Sequence, residues 1–199
     1  MMRDRGRIVG MAGGTIWLVA VSTGFAILSL AWIGTPVARG ALAAVVALAA
    51  LLLGVSIRAM RAGRRIVVDD SPARTDGRKI MMRRFALIVV AEVLGIMVVN
   101  ALCTVYRRYG LMAPLDVIIV GLHFVALARL FKAPRYTVMG WLFCAIPIAV
   151  MLSYPEQALV GRAPAWFVVT SLFCAFVVWL TAAANLREIF QGIHGVDAG

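Results

Sequence analysis

From Ile8 to Ala38 the chain runs without a single charged side chain, and five further long apolar runs follow. Nothing else in the sequence restricts the fold as much. A helix needs roughly 20 mostly apolar residues to cross a hydrocarbon core, since each residue advances it by about 1.5 Å. Six segments qualify: 8–33, 40–57, 85–105, 113–131, 136–153 and 164–184. The runs are continuous rather than alternating with a period of two, which favours helices over barrel strands. The expected fold is all-α: a polytopic bundle of six transmembrane helices, with residues 1–199 as a single membrane domain. Composition agrees. The chain is 63% hydrophobic, against about 45–50% for soluble domains. The longest polar stretch, a basic loop at 58–84, is too short and too charged to bury a core of its own. The basic start, "MMRDRGRIVGMAGG", leads into a run longer than the apolar part of a signal peptide, so the first run is expected to be an uncleaved helix.

Charge gives the expected orientation. With the N-terminus inside, the 20 Lys and Arg residues fall on cytoplasmic segments except Arg39, Arg107, Arg108 and Arg162. This is the positive-inside bias, and it predicts cytoplasmic termini in a bacterial inner membrane. Trp32, Tyr106, Tyr109, Tyr154 and Trp166 are expected near the outer interface, and Tyr136 and Trp141 near the inner one, as amphipathic rings prefer. Trp17 and Trp179, at mid-span, are expected in the core. Arg58, Arg61, Arg64, Arg65, Arg83 and Arg84 are expected to face lipid headgroups, where each basic residue contributes about 1 kcal/mol. This outweighs reading the net charge of +11 as a docking site for an acidic partner, and no nucleic acid is expected. The centre of the basic stretch, "DDSPARTDG", reads as mobile and rich in turns.

Punctuation predicts further local features. "GTPVAR" reads as a tight turn between the first two spans, and Pro164 suits the first turn of the sixth. Pro147 should kink the fifth. Gly10 and Gly14 have GxxxG spacing and the second run is rich in Ala and Gly, which permits close helix contact within the chain or between copies.

Cys103, Cys144 and Cys174 all lie in apolar runs without CxxC spacing, so they read as small apolar side chains rather than a disulfide framework. The only histidines are His123 and His194. Neither has a ligand cluster around it, so no metal is expected. GxSxG, HExxH and Walker A motifs are absent, as are paired histidines for a b-type haem. No cofactor is expected, and the balance is against an enzyme.

Four polar residues nevertheless sit inside spans: Glu92 and Asn100 in the third, Asp116 and His123 in the fourth. From the basic end of the third helix at Phe85, Glu92 is ~10 Å deep and Asn100 ~22 Å. From Phe131 at the same end of the antiparallel fourth helix, His123 is ~12 Å deep and Asp116 ~22 Å. Two layers are therefore predicted, Glu92 with His123 and Asn100 with Asp116. Seven residues return Asp116 and His123 to nearly one face, and eight keep Glu92 and Asn100 within one stripe. A buried carboxylate beside an imidazole can share a proton: burial disfavours both charged forms, and pairing favours them. Ionisable groups at this depth are costly and recur in proton relays, so these residues form a candidate proton or substrate centre. The alternative is interhelical glue, worth about 0.6 kcal/mol per bond. Asp116, near the outer interface, fits the glue reading better than Glu92 does. Arg129 lies within a turn of the interface and is expected to snorkel.

At "VAEVLGIMVVN" (90–100) and "IVGLHFVALARLF" (119–131) the chain resembles a group of uncharacterised bacterial six-helix membrane proteins. In that group a helix with an AE pair precedes one reading roughly GLHFxPLAxxF, followed by a basic turn, a proline and an aromatic. Ala91–Glu92, Gly121–Leu122–His123–Phe124, Leu127–Ala128, Phe131, Pro134 and Tyr136 match. Ala126 stands where that pattern often has proline. The likeness covers residues 85–140, implies no known activity, and draws the eye to Glu92 and His123. Two readings stay open: a small-solute or proton-coupled transporter, and a non-catalytic membrane subunit such as an assembly, immunity or regulatory protein. The expected partners are membrane lipids, with a second copy or a membrane partner protein also open. An intramembrane enzyme acting on a lipid or quinone is a weaker third reading.

Overall fold

In a computed structural model the backbone is described over residues 5–64 and 72–197, and the side chains over 13–62 and 79–191. Six helices dominate it: α1 (Arg5–Ile33), α2 (Pro36–Arg64), α3 (Pro72–Val105), α4 (Met112–Phe131), α5 (Pro134–Ser153) and α6 (Ala165–Asp197). Each contains a stretch long and apolar enough to cross a membrane. The chain is therefore an all-α, multi-pass membrane protein. It divides into two compact units, one formed by Met1–Asp69 with Ala175–Gly199 and the other by Asp70–Cys174.

In the first unit, α1 turns directly into α2. Gly34 takes φ +70°, a conformation glycine adopts without penalty. The Thr35 hydroxyl accepts the Ala38 N–H at 3.2 Å. Thr35 thus caps a helix whose first residue is Pro36, a position where the missing N–H costs nothing. This cap is why the second helix begins before residue 40. Val19 of α1, Ala49, Leu52 and Ala59 of α2, and Ala182, Leu186 and Ile189 of α6 form one buried cluster, with Trp179 and Phe190 packed against it. Alanine and serine let the backbones approach. The buried Ser22, Ser29 and Ser56 hydroxyls donate to carbonyls on their own helices, those of Val19, Phe25 and Leu52.

One buried polar contact here escaped the sequence reading. Asn185, fully buried, donates from Nδ2 to Thr15 Oγ1 at 3.3 Å. It lies one residue beyond the expected end of the sixth span, where an isolated asparagine reads as interfacial. Replacing Asn185 with Ala is expected to lower stability by about 1 kcal/mol, through one interhelical bond and a small void. Unfolding in mixed micelles measures this, and an unchanged midpoint would mean the contact contributes nothing.

In the second unit, α4 lies between α3 and α5. Its buried residues Pro114, Gly121, Phe124, Leu127 and Ala128 recur at helical spacing. They meet the buried face of α5, made of Met139, Gly140, Phe143, Cys144, Pro147 and Val150. Phe124 is edge-on to Phe143 at 5.8 Å and stacks on Tyr136 at 6.2 Å. The Cys144 thiol donates to Ile118 O at 3.7 Å. Between α5 and α6 a two-residue turn joins β1 (Leu159–Val160) to β2 (Ala163–Pro164), antiparallel. Gly161 supplies the positive φ, +67°, at the first turn position. This hairpin was not expected, and it moves Pro164 out of α6. The segment just before this hairpin is tied to the α3–α4 connection by Arg108 Nη1 and Glu156 Oε2, 2.8 Å apart.

Other expectations need correction. Most of the basic loop at 58–84 is helix, because α2 continues to Arg64 and α3 begins at Pro72. "DDSPARTDG" is therefore not wholly turn: from Pro72 onward it opens a helix, as proline at a first helical position favours. Arg65 and the Arg64 side chain lie outside the described residues. Trp17 is 70% exposed and points outward, not into the core. Trp166, at the start of α6, is buried against the protein, and its Nε1 donates to Tyr154 O at 2.9 Å. Of the GxxxG pair, Gly10 lies outside the residues described at side-chain level, and Gly14 has nothing of its own chain within 4 Å of its Cβ position. The tight helix contact is elsewhere, at Gly121 and Gly140.

Candidate functional site: a carboxylate–imidazole pair between two spans

The α3–α4 connection determines which residues can meet. Arg107 adopts φ 54° just beyond α3, and the Arg108 N–H closes back on Cys103 O at 2.8 Å. A short 3₁₀ turn (Tyr109–Leu111) then leads into α4. A connection this short makes the two helices antiparallel neighbours. At the opposite end Phe85 and Phe131 hold them together, with ring centroids 6.1 Å apart. Midway, Gly95 lets Ile119 come close: a Cβ on Gly95 would lie 3.3 Å from its Cγ2.

On either side of this contact lie the two polar layers. Glu92 Oε2 is 3.0 Å from His123 Nδ1. Asn100 Nδ2 donates to both carboxylate oxygens of Asp116, at 3.2 and 3.1 Å. All four residues predicted from depth are thus brought together in the predicted pairs. The Asn100 carbonyl also accepts the Thr104 hydroxyl at 2.8 Å.

The two layers differ chemically. The Asn100 amide spans the Asp116 carboxylate with ordinary hydrogen bonds and has no proton to exchange near neutral pH. The Glu92–His123 contact is short enough for an ion pair, yet the buried Nδ1 makes no well-aligned hydrogen bond. The carboxylate oxygen therefore stands off the N–H axis, where hydrogen bonds weaken steeply. Such a pair is ionic when the shared proton sits on the imidazole and neutral when it sits on the carboxyl. The His123 side chain is 9% exposed and that of Glu92 19%, so the acid is the more accessible end. The imidazole is held from behind by Phe124, edge-on at 5.5 Å.

The setting of α4 explains why His123 faces α3. Gly121 meets α5, and two residues later the helix has turned by ~200°. Below the pair, near the Phe85–Phe131 contact, a shallow open cleft of about 400 Å³ on the surface is lined by Arg84, Leu87, Ile88, Arg129 and Leu130. Arg58, Arg61, Arg83 and Arg84 are all exposed. Among the described residues, no three His, Cys, Asp or Glu side chains converge as a metal site would require. No protein-family model, curated protein or solved structure matches this chain.

Proposed function

We propose that this protein moves a small solute across the membrane in exchange or in company with protons, with Glu92 and His123 as the proton-binding centre. The observation that carries the reading is the 3.0 Å approach of Glu92 Oε2 to His123 Nδ1 without an aligned hydrogen bond. A contact retained only to hold helices together would be expected to use an aligned bond between uncharged groups, as membrane helices commonly do. An acid and an imidazole at this depth are costly unless paired, and their pairing near neutral pH suits a group that gains and loses a proton. The resemblance over residues 85–140 singles out the same two positions, and the proposed family is that group of bacterial six-helix membrane proteins.

Proteoliposomes carrying a trapped pH dye and an imposed proton gradient test the proposal. Amino acids, monocarboxylates, sugars and amines are offered in turn. At least one class is expected to collapse the gradient faster than in protein-free vesicles. If no class does so, the transport reading fails.

A second reading is favoured by α3, where Leu87, Leu94, Met97, Val98 and Leu102 are all at least half exposed. A non-catalytic membrane subunit would cover this flank with a partner helix, a second copy included. Photo-crosslinkers at Met97 and Val98 in native membranes would then yield one discrete protein adduct, whereas a lipid-covered flank yields lipid adducts alone.

The proposed setting is the bacterial inner membrane with both termini cytoplasmic, supported by the distribution of Arg and Lys. Single cysteines at Arg61 and Arg162, in a background lacking Cys103, Cys144 and Cys174, are expected to label oppositely with an impermeant maleimide. Arg162→Cys should react in intact cells and Arg61→Cys only after lysis. The reverse pattern would invert the topology.

A further inference from the structure

We propose that the cleft between α3 and α4 at the Phe85–Phe131 end binds the headgroup of an anionic phospholipid. Two guanidinium groups line it, Arg84 from α3 and Arg129 from α4. Both are exposed, and neither has an ion pair or hydrogen bond among the described residues. The acids of the two neighbouring spans are engaged elsewhere, Glu92 with His123 and Asp116 with Asn100. Among the described residues, two like charges therefore converge on one groove without a counter-charge, an arrangement that favours an anion from outside it.

The remaining walls identify which anion. Leu87, Ile88 and Leu130 are apolar, and Leu87 also faces outward. The cleft thus joins a charged mouth to a greasy side wall, matching a phosphodiester with an acyl chain attached. Among the described residues no carboxylate lines it to receive the ammonium of a choline or ethanolamine headgroup. That selects a net anionic phospholipid over a zwitterionic one. Basic pockets between spans recognise lipid headgroups by this same logic. The planar, forked guanidinium also suits a phosphate better than a lysine would. The proposal is independent of the Glu92–His123 reading, because neither residue lines the cleft.

The test uses delipidated full-length protein and native mass spectrometry with phosphatidylglycerol and phosphatidylcholine in competition. Wild-type protein is expected to prefer phosphatidylglycerol by about thirtyfold, the joint effect of two basic residues at one headgroup. Replacing both Arg84 and Arg129 by Gln should reduce that preference to about twofold or less, while Arg58→Gln with Arg61→Gln leaves it intact. Equal preference in the Arg84/Arg129 variant and the wild type overturns the site. Loss of the lipid adduct on adding inorganic phosphate overturns the lipid as occupant in favour of a soluble anion. If the double variant does not fold, the wild type still decides. A photoactivatable phosphatidylglycerol should crosslink to residues 84–88 and 129–130, and adducts spread evenly over the other basic segments contradict the proposal.

Discussion

Gly140→Leu is expected to break the packing of α4 on α5 and to cost about 3 kcal/mol, the upper end of overpacking effects. A Cβ at Gly140 would lie 2.6 Å from the Gly121 carbonyl oxygen and 2.7 Å from Val125 Cγ2. At Gly121 the reciprocal distances are 2.7 Å to the Gly140 carbonyl oxygen and 2.9 Å to Cys144 Sγ. The obstructing atoms on both sides include backbone, which cannot rotate aside, so relief requires the helices to separate. Separation forfeits the ring contacts of Phe124 with Phe143 and Tyr136. In lipid such packing carries much of the association, because apolar side chains gain little by leaving acyl chains. Gly140→Ala should cost less, about 1–2 kcal/mol. Gly54→Ala serves as the control: nothing lies within 4 Å of its Cβ position, so it should stabilise α2 by about 0.5–1 kcal/mol. Unfolding by circular dichroism in mixed micelles reads all three. A Gly140→Leu protein as stable as the wild type would mean the helices do not cross here.

The second large effect falls on activity. Glu92→Gln should abolish proton-coupled transport and leave the fold nearly intact. Glutamine keeps the size and hydrogen-bonding capacity of the acid but has no proton to exchange. The amide can still hydrogen-bond the imidazole, so the stability change is about 1 kcal/mol or less. His123→Leu should also stop transport, and at a larger cost of about 2–3 kcal/mol, since it leaves Glu92 without its partner at membrane depth. Asn100→Ala should lower stability without abolishing transport, because the Asn100–Asp116 layer has the geometry of a hydrogen-bonded clasp. Initial rates in proteoliposomes and unfolding midpoints separate these outcomes. Wild-type rates for Glu92→Gln would remove the centre from the mechanism.

The site was more legible in the sequence than the packing was. Rise per residue and an antiparallel connection suffice to match Glu92 with His123 and Asn100 with Asp116, because a polar side chain in a span has to find a partner at its own depth. Which face of a helix turns inward cannot be read in the same way. In water the buried face is apolar and the outer face polar, so periodicity reveals it. In lipid both faces are apolar. Trp17 could therefore be expected inside and be found outside, and Gly14 could imitate a contact that belongs to Gly121 and Gly140. Span ends were misjudged for a related reason: hydropathy measures the hydrocarbon core, while helices continue into the interface wherever a cap or proline starts them. The Thr35–Pro36 start of α2 and the Pro72 start of α3 arise this way, while α6 simply runs on past Asn185 to Asp197. The two-residue strands at 159–164 lack the Asn-Gly or alternating pattern that would have announced them.

The direct test of the central claim is the coupling of His123 to Glu92. With His194 replaced by Ala, His123 is the only imidazole, and its ring nitrogens can be followed by ¹⁵N NMR in lipid nanodiscs. The account predicts that the ring-nitrogen signals move when Glu92 is changed to Gln, because the carboxylate lies 3.0 Å from Nδ1. A ring indifferent to Glu92→Gln would contradict it.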